Sequence, residues 1–170
     1  MITLAKHAGF CFGVSRAVDL VEQAASEGKK VCTLGPIIHN RFVVEKFQSM
    51  GVTVLESPGQ APQGSTVIIR SHGVSRQVYE QLRQQDVEVI DATCPFVKRI
   101  HGIVSDAQQE GRFPIILGTP THPEVVAIAG WCGECFVCQN PQELEDWAGK
   151  HPEMLEKPVC MVCQTTSTEY

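Results

Sequence analysis

The sequence lacks the features that mark membrane or nucleic-acid proteins. No apolar run approaches the roughly 20 residues that span a bilayer, and the N-terminus shows no signal-peptide pattern. There is no basic run, and 14 Lys and Arg against 19 Asp and Glu give a formal net charge of −5. We therefore expect a cytoplasmic protein that binds neither membranes nor nucleic acid. A hydrophobic fraction of 43% over 170 residues supports an ordinary folded core.

Cysteine is the residue type that stands out, with eight copies. In a cytoplasmic protein, cysteines indicate metal-binding, catalytic or buried thiols rather than disulfides. Cys11 and Cys94 each close a short apolar run and precede an amphipathic helical pattern. A thiol at a helix N-terminus faces unpaired backbone N–H groups and the positive end of the helix dipole, which favours the thiolate. Because thiolates bind soft metals and iron–sulfur clusters, the pair predicts a metal centre built from distant segments.

Strand-like apolar runs alternate with helical patterns along the chain, which predicts an α/β fold of mainly parallel sheets flanked by helices. Two similar long helices are expected, one from Cys11 to a stop at Gly28 and one from Cys94 to a stop at Gly111. Shorter helices are predicted at residues 41–50, 76–85 and 123–129, with a further candidate at 142–148. Strands are predicted at residues 2–5, 30–34, 52–55, 66–70, 88–90, 113–117, 134–137 and 159–163.

Three histidines, His39, His72 and His122, share one position, shortly after a predicted strand and before a helix. Ligands of open α/β sheets bind beyond the carboxyl ends of the strands, so these histidines and the two cysteines are candidates to converge on one cavity. Imidazoles beside helix N-termini suit a metal, a phosphate or a diphosphate. Taken singly, each histidine is better explained as an ordinary loop residue, and it is their shared position that favours a functional role.

Glu124 lies in the first turn predicted after His122. A carboxylate there complements the helix dipole, which is a purely structural role. In a desolvated cavity the same carboxyl keeps its proton and can donate it to a substrate. Both interpretations remain open from the sequence.

A rival metal signal comes from two C-x-x-C pairs, Cys132 with Cys135 and Cys160 with Cys163. On spacing alone they resemble a zinc ribbon, so a zinc-binding module is the alternative function. However, Cys160–Cys163 and Cys135–Cys138 fall in predicted strands, where side chains three residues apart point to opposite faces. We therefore favour buried, reduced thiols. Cys32 is interpreted as an apolar strand residue.

Six short stretches, in this order along the chain, resemble the LytB-type 4-hydroxy-3-methylbut-2-enyl diphosphate reductases, iron–sulfur enzymes of the methylerythritol phosphate route to isoprenoids. The stretches are Gly9–Val14 (GFCFGV), Ile37–Glu45 (IIHNRFVVE), Ser71–Val74 (SHGV), Asp91–Val97 (DATCPFV), Thr121–Val125 (THPEV) and Gln164–Thr166 (QTT). The resemblance covers essentially the whole chain. It implies three similar α/β units around a central [4Fe-4S] cluster.

The resemblance also implies roles for individual residues. Cys11 and Cys94 match two of the three cysteines that hold the cluster. Glu124 matches the proton donor. Thr165 matches a threonine near the substrate hydroxyl and that carboxylate, with the adjacent Thr166 as the alternative. The histidines match residues that bind the substrate's diphosphate or neighbouring groups: His39, His72 and His122. The implied reaction gives isopentenyl and dimethylallyl diphosphate, with electrons from a ferredoxin or flavodoxin.

The chain departs from the family pattern in its length. The third cluster cysteine and part of the diphosphate site belong to a third unit beyond Tyr170, so the resemblance implies an N-terminal fragment with little reductase activity of its own. Residues 1–94 would form the first unit and residues 95–170 an incomplete second unit. Residues 1–11 are candidates to belong with the third unit.

Overall fold

The structure is a computed structural model that describes residues 2–3, 8–154 and 156–166. The chain forms two compact units. The first contains residues 1–71 and 86–94, and the second contains residues 72–85 and 95–170. No helix in the described part of the chain has both the length and the apolar character needed to cross a bilayer.

The first unit is a parallel sheet of four strands in the order β2-β1-β3-β4. Its elements are α1 (Phe12–Ser26), β1 (Val31–Leu34), α2 (Arg41–Ser49), β2 (Thr53–Leu55), a 3₁₀ turn at Pro58–Gln60, β3 (Thr66–Ile69) and β4 (Glu88–Asp91). Every residue of β1 and β3 is buried. A parallel strand that is covered on both faces is buried along its whole length. This explains why β1 and β3 consist mostly of apolar residues.

The core of the first unit is formed by α1 and α2 against the sheet. The helical period of α1 places Ala17, Val21 and Ala24 on one buried face, and Phe47 of α2 packs into the same cluster as Ile68 of β3. α2 begins at a defined point because the Asn40 side chain accepts a hydrogen bond from the Val43 N–H at 3.2 Å.

The second unit is a parallel sheet of three strands in the order β6-β5-β7. Its elements are α3 (Arg76–Arg83), α4 (Pro95–Gln109), β5 (Phe113–Leu117), α5 (Pro123–Ala129), β6 (Phe136–Cys138), α6 (Pro141–Lys150), a 3₁₀ turn at Pro152–Met154 and β7 (Val159–Cys163). One apolar cluster joins Val104, Ile116, Ile128 and Val162 of α4, β5, α5 and β7. Trp147 of α6 stacks on Phe113 and Phe136, with ring centroids 5.5 and 4.6 Å away.

The predicted fold class is confirmed, and the elements differ from the predictions mainly at their ends. β6 begins at Phe136, so Cys135 precedes the strand that was predicted to contain it. The strand predicted at residues 2–5 lies partly outside the described residues. The chain passes between the two compact units after Ser71, Gln85 and Cys94, so residues 72–85 group with residues 95–170.

Packing around Trp131 explains why residues 72–85 group with the second unit. The Trp131 indole N–H donates to the Val74 carbonyl at 2.8 Å, and the Arg76 guanidinium lies over the indole ring. A Cβ at Gly130 would collide with the Ser75 side chain, so a glycine is needed where this segment crosses the end of α5. These contacts join residues that are far apart in the chain, so no local sequence pattern predicts them.

Candidate functional site

The loops that follow β1, β3 and β4 are hydrogen-bonded to one another at the carboxyl edge of the first sheet. The backbone N–H and the hydroxyl of Ser71 both donate to the Ile37 carbonyl, at 3.4 and 3.2 Å. The Ser71 carbonyl in turn accepts from the Cys94 N–H at 2.9 Å. The parallel sheet therefore brings strand-end residues of the first unit to one edge, as the topology predicts.

Cys94 lies against the first turn of α1. A Cβ built on Gly13 would be only 2.6 Å from Cys94 Sγ, so the thiol occupies the space that a larger residue would fill. Arg16, one turn further along α1, donates to the carbonyls of Asp91 and Thr93 at 3.1 and 3.3 Å. α1 thus fixes the segment that carries Cys94.

Cys11 is the N-cap residue of the same helix, and its exposed side chain makes no capping hydrogen bond. Because Cys94 Sγ packs at Gly13, both thiols lie at the N-terminal end of α1. Two cysteines at one helix N-terminus, one of them in a glycine-made recess, fit two ligands of a soft metal or an iron–sulfur cluster. Cys11 and Cys94 are therefore consistent with the iron–sulfur cluster that the family resemblance implies.

His72 and His122 come together in the second unit. Their rings meet edge to face, with centroids 5.5 Å apart. His122 is the N-cap of α5, and its Nδ1 accepts a hydrogen bond from the Glu124 N–H at 3.2 Å. A capping Nδ1 carries no proton, so in this arrangement the proton of the neutral ring is on Nε2. His39 belongs to the first unit and is exposed just before α2.

Glu124 is the buried carboxyl of the second unit, with 2% of its surface exposed. Thr165, just beyond β7, binds both of its oxygens: the Thr165 N–H lies 2.6 Å from Oε1 and the hydroxyl 2.8 Å from Oε2. These two contacts hold the buried carboxyl in one orientation, and a carboxyl fixed in this way is suited to proton transfer.

The structure distinguishes between the two adjacent threonines. Thr165 contacts Glu124, whereas the Thr166 hydroxyl accepts a hydrogen bond from Gln164 Nε2 at 2.7 Å. Gln164 also accepts from the Thr119 N–H at 3.2 Å, which links the ends of β5 and β7. Sequence reasoning did not assign Gln164 a role, although it stands in the same short motif.

Arg70 is a second residue that sequence reasoning missed. It follows β3 directly, and its guanidinium packs against Gly35, which holds a positive φ of 72°. Its Nε is buried with no hydrogen-bond partner among the described residues, and burial lowers the pKa of Arg70. The only sequence signal was a charged residue at the end of a buried apolar run.

The alternative zinc module is wrong. Cys160 and Cys163 lie three residues apart on β7, and Cys160 packs with the cluster around Ile116 while Cys163 is exposed. Within the part of the chain that the structure describes, Cys132, Cys135, Cys160 and Cys163 supply no group of three or more ligand atoms close enough for one ion. The alternation of side chains along a strand explains this result.

The fold and these side chains define an α/β protein with its candidate active-site residues at the carboxyl ends of parallel strands. Comparison with known proteins then identifies the family. The chain belongs to the LytB protein family, whose profile matches residues 2–170.

Curated relatives agree with this assignment. The chain is 43% identical over 173 residues to a protein of Thermoanaerobacter sp. (strain X514) and 42% identical over 174 residues to one of Aquifex aeolicus (strain VF5). Both relatives are named 4-hydroxy-3-methylbut-2-enyl diphosphate reductase. Each alignment covers 99% of this chain but only 58% and 57% of the relatives, so the chain spans less than two thirds of their length.

Solved structures give the same result. A structure of (E)-4-hydroxy-3-methyl-but-2-enyl diphosphate reductase, described as the terminal enzyme of the non-mevalonate pathway, matches with a TM-score of 0.79 and 41% identity. The match covers 99% of this chain and 59% of that one. The E-1-hydroxy-2-methyl-but-2-enyl-4-diphosphate reductase of Plasmodium falciparum matches with a TM-score of 0.87 and 30% identity, over 95% of this chain and 50% of that one.

Proposed function

We propose that this chain supplies part of the active site of an iron–sulfur reductase. The enzyme would convert 4-hydroxy-3-methylbut-2-enyl diphosphate into isopentenyl and dimethylallyl diphosphate in the methylerythritol phosphate pathway. The observation that carries this proposal is the buried Glu124 carboxyl, gripped on both oxygens by Thr165 beside the His72–His122 pair. When an anionic substrate loses its hydroxyl group as water with the help of an acid, the reaction needs a rigid proton donor next to imidazoles.

In this proposal Cys11 and Cys94 hold a [4Fe-4S] cluster together with a third cysteine. When bound, such a cluster would supply the electrons and a Lewis-acidic iron. The recess at Gly13 and the hydrogen bonds of Arg16 to the Asp91 and Thr93 carbonyls would hold the Cys94 side chain in position for the cluster. Ferredoxin or flavodoxin is the proposed electron donor, and the proposed compartment is the cytoplasm.

Glu124 acts as the acid. Its proton passes to the allylic hydroxyl oxygen, the C–O bond breaks and water leaves. Two electrons and a second proton, delivered to carbon, complete the reduction. Thr165 keeps the Glu124 carboxyl in one orientation, because its N–H and its hydroxyl donate to the two carboxyl oxygens. Thr166 acts indirectly, by fixing Gln164.

The histidines bind the diphosphate or its neighbouring groups in this proposal. His122 is held in place at the start of α5 because its Nδ1 accepts a hydrogen bond from the Glu124 N–H. His72 and His39 provide further donors, and Arg70 adds a permanent positive charge beyond β3 that has no carboxylate partner among the described residues. Cationic and N–H donors are the groups that bind diphosphate oxygens.

The experiment uses a chimera, because the chain spans only 58% of its Thermoanaerobacter relative. Residues 1–170 are joined to the remaining part of that relative, and the protein is reconstituted with iron and sulfide without oxygen. We expect reductase turnover with a chemical electron donor. Glu124→Gln should lower kcat by about 10²- to 10⁴-fold, the range of general acid catalysis, with unchanged iron content.

Cys94→Ser provides the matched comparison, since it should lower iron content and activity together. The 170-residue chain by itself should bind iron weakly and turn over little, because it offers two of the three proposed thiolates. An iron-loaded, folded chimera without turnover, or one in which Glu124→Gln retains full kcat, would contradict the proposal.

A further inference from the structure

Gln164 is a buried polar residue that directly follows β7 in the second unit, with 9% of its surface exposed. The next two residues, Thr165 and Thr166, form a turn, and both are exposed. A surface turn that buries few apolar atoms owes its order mainly to the hydrogen bonds that its own groups make. The positions of the two threonines therefore depend on the buried side chains that bind them.

Each threonine of this turn is bound by a different buried side chain. Thr165 donates to the two oxygens of Glu124, from its N–H at 2.6 Å and from its hydroxyl at 2.8 Å. The Thr166 hydroxyl accepts from Gln164 Nε2 at 2.7 Å. Because the two threonines are adjacent in the chain, loss of the Gln164 contact with Thr166 also loosens the hold of Thr165 on Glu124.

Gln164 also binds the loop that leads from β5 to Glu124. Its backbone N–H donates to the Leu117 carbonyl at 2.8 Å, and its side-chain Oε1 accepts from the Thr119 N–H at 3.2 Å. This loop continues to His122, the N-cap of α5, and Glu124 lies in the first turn of that helix. One side-chain amide therefore joins the segment that carries the carboxyl to the turn that orients it.

The close approach of Gln164 to this loop requires a glycine at position 118. A Cβ at Gly118 would lie 2.9 Å from Gln164 Oε1, 3.0 Å from Gln164 Cβ and 2.7 Å from Val125 Cγ2. The Gly118 N–H also donates to the Cys138 carbonyl of β6 at 2.8 Å, which fixes the end of β5 from its other side. The Gln164 amide therefore packs on a fixed strand end, as a residue that positions its neighbours must.

We propose that Gln164 is a positioning residue, whose amide sets the place of the Thr165 donors relative to the Glu124 carboxyl. This inference deepens the proposed function and rests on it for the catalytic consequence. Without the amide contacts, the Thr165 donors leave their present orientation and the carboxyl samples several orientations. A misplacement of about 1 Å at a reacting group costs about 10²-fold in rate.

The first test uses the 170-residue chain and needs neither cluster nor substrate. In nitrogen-15-labelled protein, the Thr165 amide proton reports its hydrogen bond to Glu124 through its chemical shift and its rate of exchange with solvent. Gln164→Met keeps a side chain of similar size and removes both amide contacts. We expect the Thr165 amide proton to move upfield and to exchange about tenfold faster, as for the loss of one ordinary hydrogen bond. The amides that join β5 to β7 should be unchanged.

Two further variants control this result. Gln164→Glu keeps the acceptor oxygen, and the Thr166 hydroxyl can turn to donate to the second oxygen, so this variant should restore the wild-type Thr165 signals. Gln108→Met removes another amide contact of the second unit, the one that accepts from the Gly133 N–H at 2.8 Å. It should leave the Thr165 signals unchanged, which separates positioning from a general loss of stability.

The second test uses the reconstituted chimera. Gln164→Met should lower kcat by about 10²-fold, with unchanged iron content and a smaller effect on KM, and Gln164→Glu should recover most of the loss. A chimera without turnover would count against the proposed function, and the Thr165 signals would then decide the inference alone. The inference is overturned if Gln164→Met leaves the Thr165 amide unchanged, if amides throughout the second unit change as much as that of Thr165, or if an active chimera keeps its full kcat.

Discussion

Replacing Gly13 by alanine tests whether the recess for Cys94 is a true steric constraint. The added carbon would lie 2.6 Å from Cys94 Sγ and 3.1 Å from Cys94 Cβ, well inside the roughly 3.5–4.0 Å of an ordinary contact. Relief of that overlap requires Cys94 to move by about 1 Å. Overpacking of this kind costs about 1–3 kcal/mol, whereas glycine to alanine inside a helix otherwise gains about 0.5–1 kcal/mol.

The two effects together predict that Gly13→Ala lowers the free energy of unfolding by about 0–2.5 kcal/mol. Urea unfolding measures this change. Peptide mass spectrometry measures a second one, faster alkylation of Cys94, because the thiol is displaced from its recess. In the reconstituted chimera the same variant should bind less iron.

Gly102→Ala is the control for this experiment. Gly102 lies within α4, and an added Cβ would meet nothing within 4 Å. We expect this variant to gain about 0.5–1 kcal/mol and to leave Cys94 unchanged. If Gly13→Ala were stabilised as much as Gly102→Ala, with the same Cys94 alkylation rate as the wild type, the steric reasoning would be refuted.

Three further predictions follow from contacts in the two units. Thr165→Val removes a hydrogen bond to a buried carboxyl and should lower the free energy of unfolding by about 1–3 kcal/mol, more than Thr166→Val, as measured in urea; equal losses would contradict this. Arg16→Met removes both carbonyl contacts and should speed Cys94 alkylation, and an unchanged rate would count against the positioning role. Alkylation of Cys135 should be half-maximal near pH 7, because a lowered pKa leaves the thiolate present at lower pH; a midpoint near the ordinary value of 9 would contradict the lowered pKa.

The alternation of strands and helices was predictable because it rests on local periodicity. The apolar residues of α1 recur with the helical period that buries Ala17, Val21 and Ala24, and the continuous apolar run of β3 matches its complete burial. The order of strands in each sheet was not predictable in the same way, since it depends on which crossover each helix makes.

The candidate site was predictable in its residue types and less so in its contacts. A cysteine before each long helix and a histidine after each strand are visible in the sequence. The preference for Thr165 over Thr166 as the partner of Glu124 came from the family resemblance and not from a local pattern, because adjacent residues beyond β7 turn in different directions. Arg70 was also missed, because its burial depends on the left-handed glycine at position 35.

The sequence by itself determined the fold class and the chemical types at the strand ends, because both depend on residues close together in the chain. Only the tertiary structure decided how distant residues meet. It placed Cys94 in the recess at Gly13 and joined Thr165 to Glu124. These outcomes depend on packing between segments far apart in the chain, and that packing has no local signature.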